Sequence, residues 1–318
     1  MSFSSSGKQV SPKDRDRFGY LILCGVLVLA MRIAGRATEN GASVYPVGAE
    51  TVLPGLTPAP GRTMFCEFTA FYSANEIADG NGKNTVPDFK LRVLANALKV
   101  EHAWTAHLWG GTLKSSLAVP MIYQQLRVPA GEFTEFGVGN IAIGILGVGY
   151  HQKNLHWFYE VDAWLPGTGY SKSKVLNIGQ HNYALAPVLG FTYLPARHKL
   201  ELSSRVQYIV NFRNGDTHYQ SGSEFTHEYA VMRGVSQRIS IGVNGYYYQQ
   251  TTDDRLNGAR VSEDGRRGRD FAIGPQVRIR LGQLGGLAFK YERDTLVQHK
   301  PRGSAFWFQI GLPLGGER

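Results

Sequence analysis

The sequence predicts an all-β chain: a transmembrane antiparallel β-barrel of about twelve strands. Three observations carry that expectation. Runs of ten or more residues alternate apolar and polar side chains with a period of two. The composition is rich in glycine and aromatics and poor in charge, with 38 Gly, 16 Tyr, 16 Phe and 5 Trp in 318 residues and 19% charged, against averages of about 7% Gly and about 25% charged. Short and long connections between the runs alternate. The mean hydropathy of −0.21 is far too low for a bundle of membrane helices. It suits a barrel, whose polar lumen offsets its lipid-facing residues.

The N-terminus is a targeting segment. Lys8, Lys13, Arg15 and Arg17 precede the apolar run Tyr20–Met31, and Gly35-Arg36-Ala37 follows. A basic stretch, a short apolar core and small residues describe a secretory signal peptide. The run falls short of the roughly 20 residues of a spanning helix. Residues 1–37 are therefore expected to be cleaved, the alternative being an anchor that stays attached. Export lowers the formal charge from +9 to +5. No Lys/Arg block forms a stripe for nucleic acid. Of the two cysteines, Cys24 leaves with the signal, and Cys66 has no partner for an internal disulfide.

Residues 38–61 (TENGASVYPVGAETVLPGLTPAPG) are Pro- and Gly-rich and aperiodic, an extended lead-in. The barrel is expected over 62–318, its strands near 62–72, 88–102, 106–121, 138–150, 154–165, 180–194, 198–212, 222–233, 237–250, 269–281, 285–294 and 303–313. In 200–212, Leu200, Leu202, Val206, Tyr208, Val210 and Phe212 share one face, and Glu201, Ser203, Arg205, Gln207 and Asn211 the other. The same alternation marks 154–165 and 270–281. Such runs match the 9–11 residues of a tilted membrane strand and exceed the usual strand of a soluble sandwich. Short turns at 195–197, 234–237 and 282–283 alternate with long loops at 73–87, 122–137, 166–179, 213–221, 251–268 and 295–302. Closure into a barrel satisfies every backbone polar group in lipid. Tyr72, Trp104, Tyr123, Tyr150, Trp164, Tyr193, Tyr247 and Trp307 sit near run ends, where girdles form. Cys66 would lie beside lipid or girdle.

No catalytic constellation is flagged. There is no G-x-S-x-G elbow, phosphate loop or zincin pair, and the nine histidines are dispersed. Asp253-Asp254 lacks the pattern of a calcium loop. Neither a metal nor a cofactor is implied. The lumen remains as the functional candidate. The charges Glu67, Arg92, Asp162, Arg205, Glu228 and Arg278 are expected to line a solute path. Lys90, Glu160, Glu201, Glu224, Arg238, Arg280, Lys290 and Glu292 are placed on the same inward face, most of them pairing to hold the barrel's shape. The lead-in is placed to fold into the lumen as a plug, with Tyr45, Pro46, Glu50 and Pro54 as its residues.

Several segments carry a resemblance: Ala42–Phe65, Leu176–Pro195 (LNIGQHNYALAPVLGFTYLP), Val243–Asp254 (VNGYYYQQTTDD), Gly268–Pro275 (GRDFAIGP) and Phe306–Leu314 (FWFQIGLPL). With these, the chain resembles the outer-membrane transporter family named for the meta-pathway of phenol degradation, also called SphA-like. The resemblance implies a Gram-negative outer-membrane barrel linked to uptake of hydrophobic or aromatic compounds, with no catalytic residues to carry over; passage of small hydrophobic or aromatic solutes by facilitated diffusion, with membrane lipid and solute as partners and no enzymatic activity, is the expectation. The superfamily also includes a channel that exports amyloid subunits, so direction does not follow from fold. A polypeptide-export channel, a structural barrel without transport, and a lipid hydrolase with a Ser–His pair on its wall stay open as rivals. A homo-oligomer is compatible with such a barrel; no interface can be read from one chain.

Overall fold

A computed structural model describes residues 42–195, 200–282 and 285–315; the expected signal segment 1–37 lies outside them. The strands are β1 (Thr63–Ile77), β2 (Lys90–Leu108), β3 (Gly111–Val128), β4 (Gly131–Val138), β5 (Ile141–Gln152), β6 (Leu155–Leu165), β7 (Ala184–Tyr193), β8 (Glu201–Asn211), β9 (Tyr219–Gln220), β10 (Glu224–Gly234), β11 (Ile239–Gln250), β12 (Arg255–Leu256), β13 (Ala259–Arg260), β14 (Arg269–Leu281), β15 (Gly285–Gln298) and β16 (Pro301–Leu314). Twelve of them close into an antiparallel barrel in the order β1-β2-β3-β5-β6-β7-β8-β10-β11-β14-β15-β16. Each strand pairs with its predecessor, and β16 returns to β1 from Thr63↔Leu314 to Ile77↔Pro301. No sheet edge is left along the ring, as lipid demands. This is the architecture of a transmembrane β-barrel.

All twelve predicted strands are present, most displaced by a few residues. Two predicted loops are not loops. The 122–137 segment continues β3 to Val128 and folds back as β4, paired from Met121↔Val138 to Val128↔Gly131. The 295–302 segment is the end of a hairpin, with only His299 and Lys300 between β15 and β16. Both errors have one cause. Strands that project beyond the membrane meet water on their outer face, so their hydropathy resembles that of a loop.

The two ends of the barrel differ as expected. One carries tight turns, among them Trp109-Gly110, whose φ values of 50° and 80° suit a two-residue hairpin turn with both central residues left-handed. The other carries 78–89, 166–183, 212–223 and 251–268, the last two joined through the small sheet β13-β12-β9. Pro120 marks a handover in the wall. β3 pairs with β5 up to Ala118 and with β4 from Met121. Proline has no N–H for a ladder, and its carbonyl instead accepts the Gly139 N–H at 2.9 Å.

Along β8 the expected faces hold: the odd residues from Glu201 to Asn211 are inward, and Leu202, Tyr208 and Val210 are exposed. Three expected girdle aromatics are instead inside. Tyr72 donates to Asp294 at 2.9 Å, Trp307 to Glu292 at 2.9 Å, and Trp164 packs edge-on against Tyr45 at 5.8 Å. Each has a polar partner or an aromatic neighbour in the lumen, which outweighs the position of its residue near a strand end. Cys66 also faces inward, opposite Lys99 in the β1–β2 register.

Candidate functional site: the lumen and its N-terminal segment

Residues 42–61 run through the interior and bond to the inner wall. Pro46–Ala49 forms a turn closed by Ala49 N to Pro46 O at 3.1 Å. Gly48 stands at its third position with φ 94°, which demands glycine. A Cβ there would also strike the Glu292 carboxylate. The turn presents its N–H groups to β10: Gly48 N donates to Glu228 at 2.6 Å, as does the Tyr45 hydroxyl, also at 2.6 Å. Burial, with Glu228 and Glu50 nearby, pushes the Tyr45 hydroxyl well above its ordinary range against the pull of Arg205. It therefore remains a donor.

From β15 and β16, Lys290 donates to the carbonyl of Gly48 and to Thr51 Oγ1 at 3.0 Å, and Gln309 donates to Ala49 O. A second turn, Leu53–Leu56, has Pro54 and Gly55 at its centre, and Gly55 N donates to Thr192 at 3.1 Å. Gly55 lies so close to the backbone of His156 and Thr192 that no Cβ fits.

Arg205 is the hub of the charges. Its Nε lies 3.2 Å from Glu50, its Nη2 3.3 Å from Asp162 and its Nη1 3.8 Å from Glu228. The guanidinium also sits 4.7 Å from the Tyr45 ring centroid. Glu50 continues the network to Lys99 at 2.7 Å, and Lys114 links Glu101 at 3.2 Å to Glu160 at 2.7 Å. Burial alone would raise the Glu50 carboxyl. Lys99 and Arg205 outweigh it and hold the group down at about 2.

Of the six predicted path residues, Asp162, Arg205 and Glu228 thus meet Tyr45 and Glu50 in one cluster. Pro46 and Pro54 shape the turns rather than touch the charges. Arg278 lies apart, toward the short-turn end, paired with Glu201. Glu67 and Arg92 require correction, because both point outward. On β1 the inward set is Phe68, Ala70 and Tyr72, and on β2 it is Val93, Ala95 and Ala97. That parity turns Glu67 to the lipid side, where Thr69 and Asn96 donate to its carboxylate. Arg92 caps the carbonyl of Ala74 and the amide of Asn75, and Lys90 shares its outward face.

What the sequence missed is the apolar half of the lumen. A cavity of about 350 Å³ lies between the 42–50 segment and the inner face of β1–β3. Phe68, Ala70, Val93, Ala95, Ala97, Ala118, Pro120 and Ile122 form that wall, with Tyr45, Val47 and Trp164 across from it. Glu50, Lys99, Asp162, Arg205, Asp270, Glu292 and Lys300 bring charge to its margin. The signal was present as strands apolar on both faces, with small residues inward (Ala95, Ala97) and large ones outward (Leu94, Leu98). Among the described residues no group of three His, Cys, Asp or Glu could hold a metal. A Ser–His pair does exist on the outer wall, Ser204 Oγ to His227 Nε2 at 2.9 Å.

The twelve-stranded fold is that of an outer membrane channel from Pseudomonas putida F1, at a TM-score of 0.70 and 15% identity, covering 81% of this chain and 97% of that one. Looser matches are the transport unit of the autotransporter AIDA-I from Escherichia coli (TM-score 0.46, 9% identity, 83% and 93% covered) and the CymD monoaromatic hydrocarbon channel (TM-score 0.41, 9% identity, 87% and 96% covered). No curated protein sequence matches the chain significantly. The family model for the MetA-pathway of phenol degradation matches residues 74–310, from the upper part of β1 into β16, and the chain belongs to that family.

Proposed function

We propose that this barrel passes small hydrophobic or aromatic molecules across the outer membrane by facilitated diffusion, through the space between the 42–61 segment and the apolar wall of β1–β3. The observation that carries this reading is the division of the lumen. Arg205, Glu228, Lys290 and, toward the short-turn end of β2, Lys99 hold the N-terminal segment, and beyond Lys99 the inner face of β1–β3 is apolar and fronts a cavity with charged groups at its margin, the usual make-up of a small-molecule site. The family's link to phenol degradation supports aromatic solutes. No energy source or catalytic step is required, since a gradient suffices. Asp162, Arg205 and Glu228 act in this reading by holding the plug, and the solute meets Phe68, Ala95, Ala97 and Ile122. Residues 1–37 would direct export and be removed with it.

The test uses refolded barrel in planar bilayers and in liposomes loaded with a solute-sensitive dye. The intact protein should conduct ions poorly and admit phenol-like solutes faster than empty liposomes. Deleting residues 42–61 should open a steady ohmic conductance. Conductance unchanged by the deletion would refute the plug, and solute entry no faster than through lipid alone would leave a structural barrel. Passage of an unfolded polypeptide through the intact protein would favour an export channel instead.

A further inference from the structure

The outer wall of β15, β16, β1 and β2 carries a feature that solute passage does not use. The register sets Arg293 opposite Ser304, Ser304 opposite Ser73, and Ser73 opposite Arg92. All four point outward. They form one row across four neighbouring strands, with a guanidinium at each end and two small hydroxyls between. Three interstrand steps place the two arginine backbones about 14 Å apart. The next outward row toward the short-turn end is Tyr291, Phe306, Phe71 and Leu94. Phe71 and Phe306 are 55% and 60% exposed, whereas most lipid-facing residues are near 40%. The small serines leave a depression of about 610 Å³ between the arginines and above these rings.

Height locates the row in the membrane. Ser73 stands ten residues beyond Thr63, where β1 begins. At roughly 3.4 Å a residue and a tilt of about 40°, that is about 26 Å above the short-turn end. The apolar band of such a barrel is about 25 Å tall. The arginines therefore sit where the outer-leaflet headgroups begin, and the aromatic row lies at the depth of the acyl chains.

Neither arginine is neutralised. Arg92 donates to the Ala74 carbonyl at 3.3 Å, to Asn75 Oδ1 at 3.2 Å and to the Leu91 carbonyl at 3.1 Å. Arg293 donates to Ser304 Oγ at 3.1 Å. Among the described residues, no carboxylate lies within ion-pair distance of either. The neighbouring Arg302 differs, being held by Glu76 at 2.9 Å. Two guanidiniums with spare donors, over an apolar floor at the membrane edge, match an amphiphile with two separated anionic groups, and guanidinium forks bind phosphate bidentately.

We infer that this face holds lipid A, the bis-phosphorylated glycolipid of the outer leaflet. Arg92 and Arg293 each take one phosphate, the disaccharide spans Ser73 and Ser304, and the acyl chains run down over Phe71 and Phe306. The site is independent of transport and stands or falls separately from it.

Native mass spectrometry of the refolded barrel in detergent, with bis-phosphorylated lipid A added, tests this. The wild type should retain one lipid A. The double variant R92Q/R293Q should retain it on the order of a hundredfold more weakly, tenfold for each charge-assisted contact. Arg127→Gln, whose side chain pairs with Glu132 on the projecting hairpin, should bind like wild type, and heat-modifiable gel mobility confirms that each variant is folded. Equal retention by the folded double variant would overturn the site. So would equal retention by wild type of dephosphorylated lipid A or of phosphatidylglycerol, since both lack the paired phosphates.

Discussion

Replacing Glu50 by Gln tests whether the N-terminal segment is a gate held by charge. The carboxylate bridges Lys99 at 2.7 Å and Arg205 at 3.2 Å. The amide keeps its shape without its charge. The wall stays compensated, because Lys99 keeps Glu101 at 3.8 Å and Arg205 keeps Asp162 at 3.3 Å and Glu228 at 3.8 Å. The loss therefore falls on the segment. The Lys99 hydrogen bond loses its ionised acceptor and the ion pair to Arg205 is lost, together costing about 3 kcal/mol. The titration points to the same size: a carboxyl held at about 2 against its ordinary 4.5 corresponds to about 3 kcal/mol of preference for the bound form.

At about 1.4 kcal/mol per tenfold, the displaced state should become on the order of a hundredfold more populated. Single-channel recording should show it as more frequent openings at neutral pH. Because the bound pKa is depressed, the anchoring is complete above 4.5 and is lost as pH falls from there toward 2. Acidification should bring the wild type to the variant's opening frequency. Comparing the two at each pH cancels the contributions of Glu101, Asp162 and Glu228, which face the same cluster. Equal opening frequencies at neutral pH, or a gap that does not close as the bath is acidified from 4.5 to about 2, would refute the reasoning.

Three further outcomes follow from the same geometry. Substituting Leu at Ala97 and Ala118, both on the apolar wall of the cavity, should slow aromatic entry severalfold in dye-loaded liposomes while leaving the fold unchanged; undiminished entry would move the path elsewhere. Gly55→Ala should dislodge the second turn of the segment, since a Cβ would meet the backbone of His156 and Thr192, and limited proteolysis should then cut within 42–61. Ser204→Ala should not alter the rate of phospholipid hydrolysis in vesicles containing the barrel, because among the described residues the His227 ring bonds the serine hydroxyl and packs beside Tyr229, with no carboxylate to orient it as a general base requires. Hydrolysis present in the wild type and lost in the variant would make the pair catalytic.

The parts of this protein that were legible from sequence and the parts that were not divide along the lumen wall. On β6, β8 and β14 inward polar residues (Glu160 and Asp162; Glu201, Arg205 and Gln207; Asp270, Gln276 and Arg278) alternate with mostly apolar outward ones, so a period of two sets strand, face and register together. On β1, β2 and β3 it did not. There Phe68, Val93 and Ile122 face a cavity, and Phe71, Leu94 and Met121 face lipid, so hydropathy is nearly the same on both sides. Without alternation, the isolated charges Glu67 and Arg92 mimic residues of the inside. Both are outside: Arg92 stands at the membrane edge, and Glu67, deeper in the wall, is bonded by its outward neighbours Asn96 and Thr69. The loss of signal has the same cause as the proposed function. A barrel that must offer apolar molecules a path has to line part of its lumen with apolar residues, and on those strands the pattern that separates inside from outside disappears. Adjacent strands of a barrel that fail to alternate, with small residues on one face and large on the other, therefore point to the solute path more directly than the charges do.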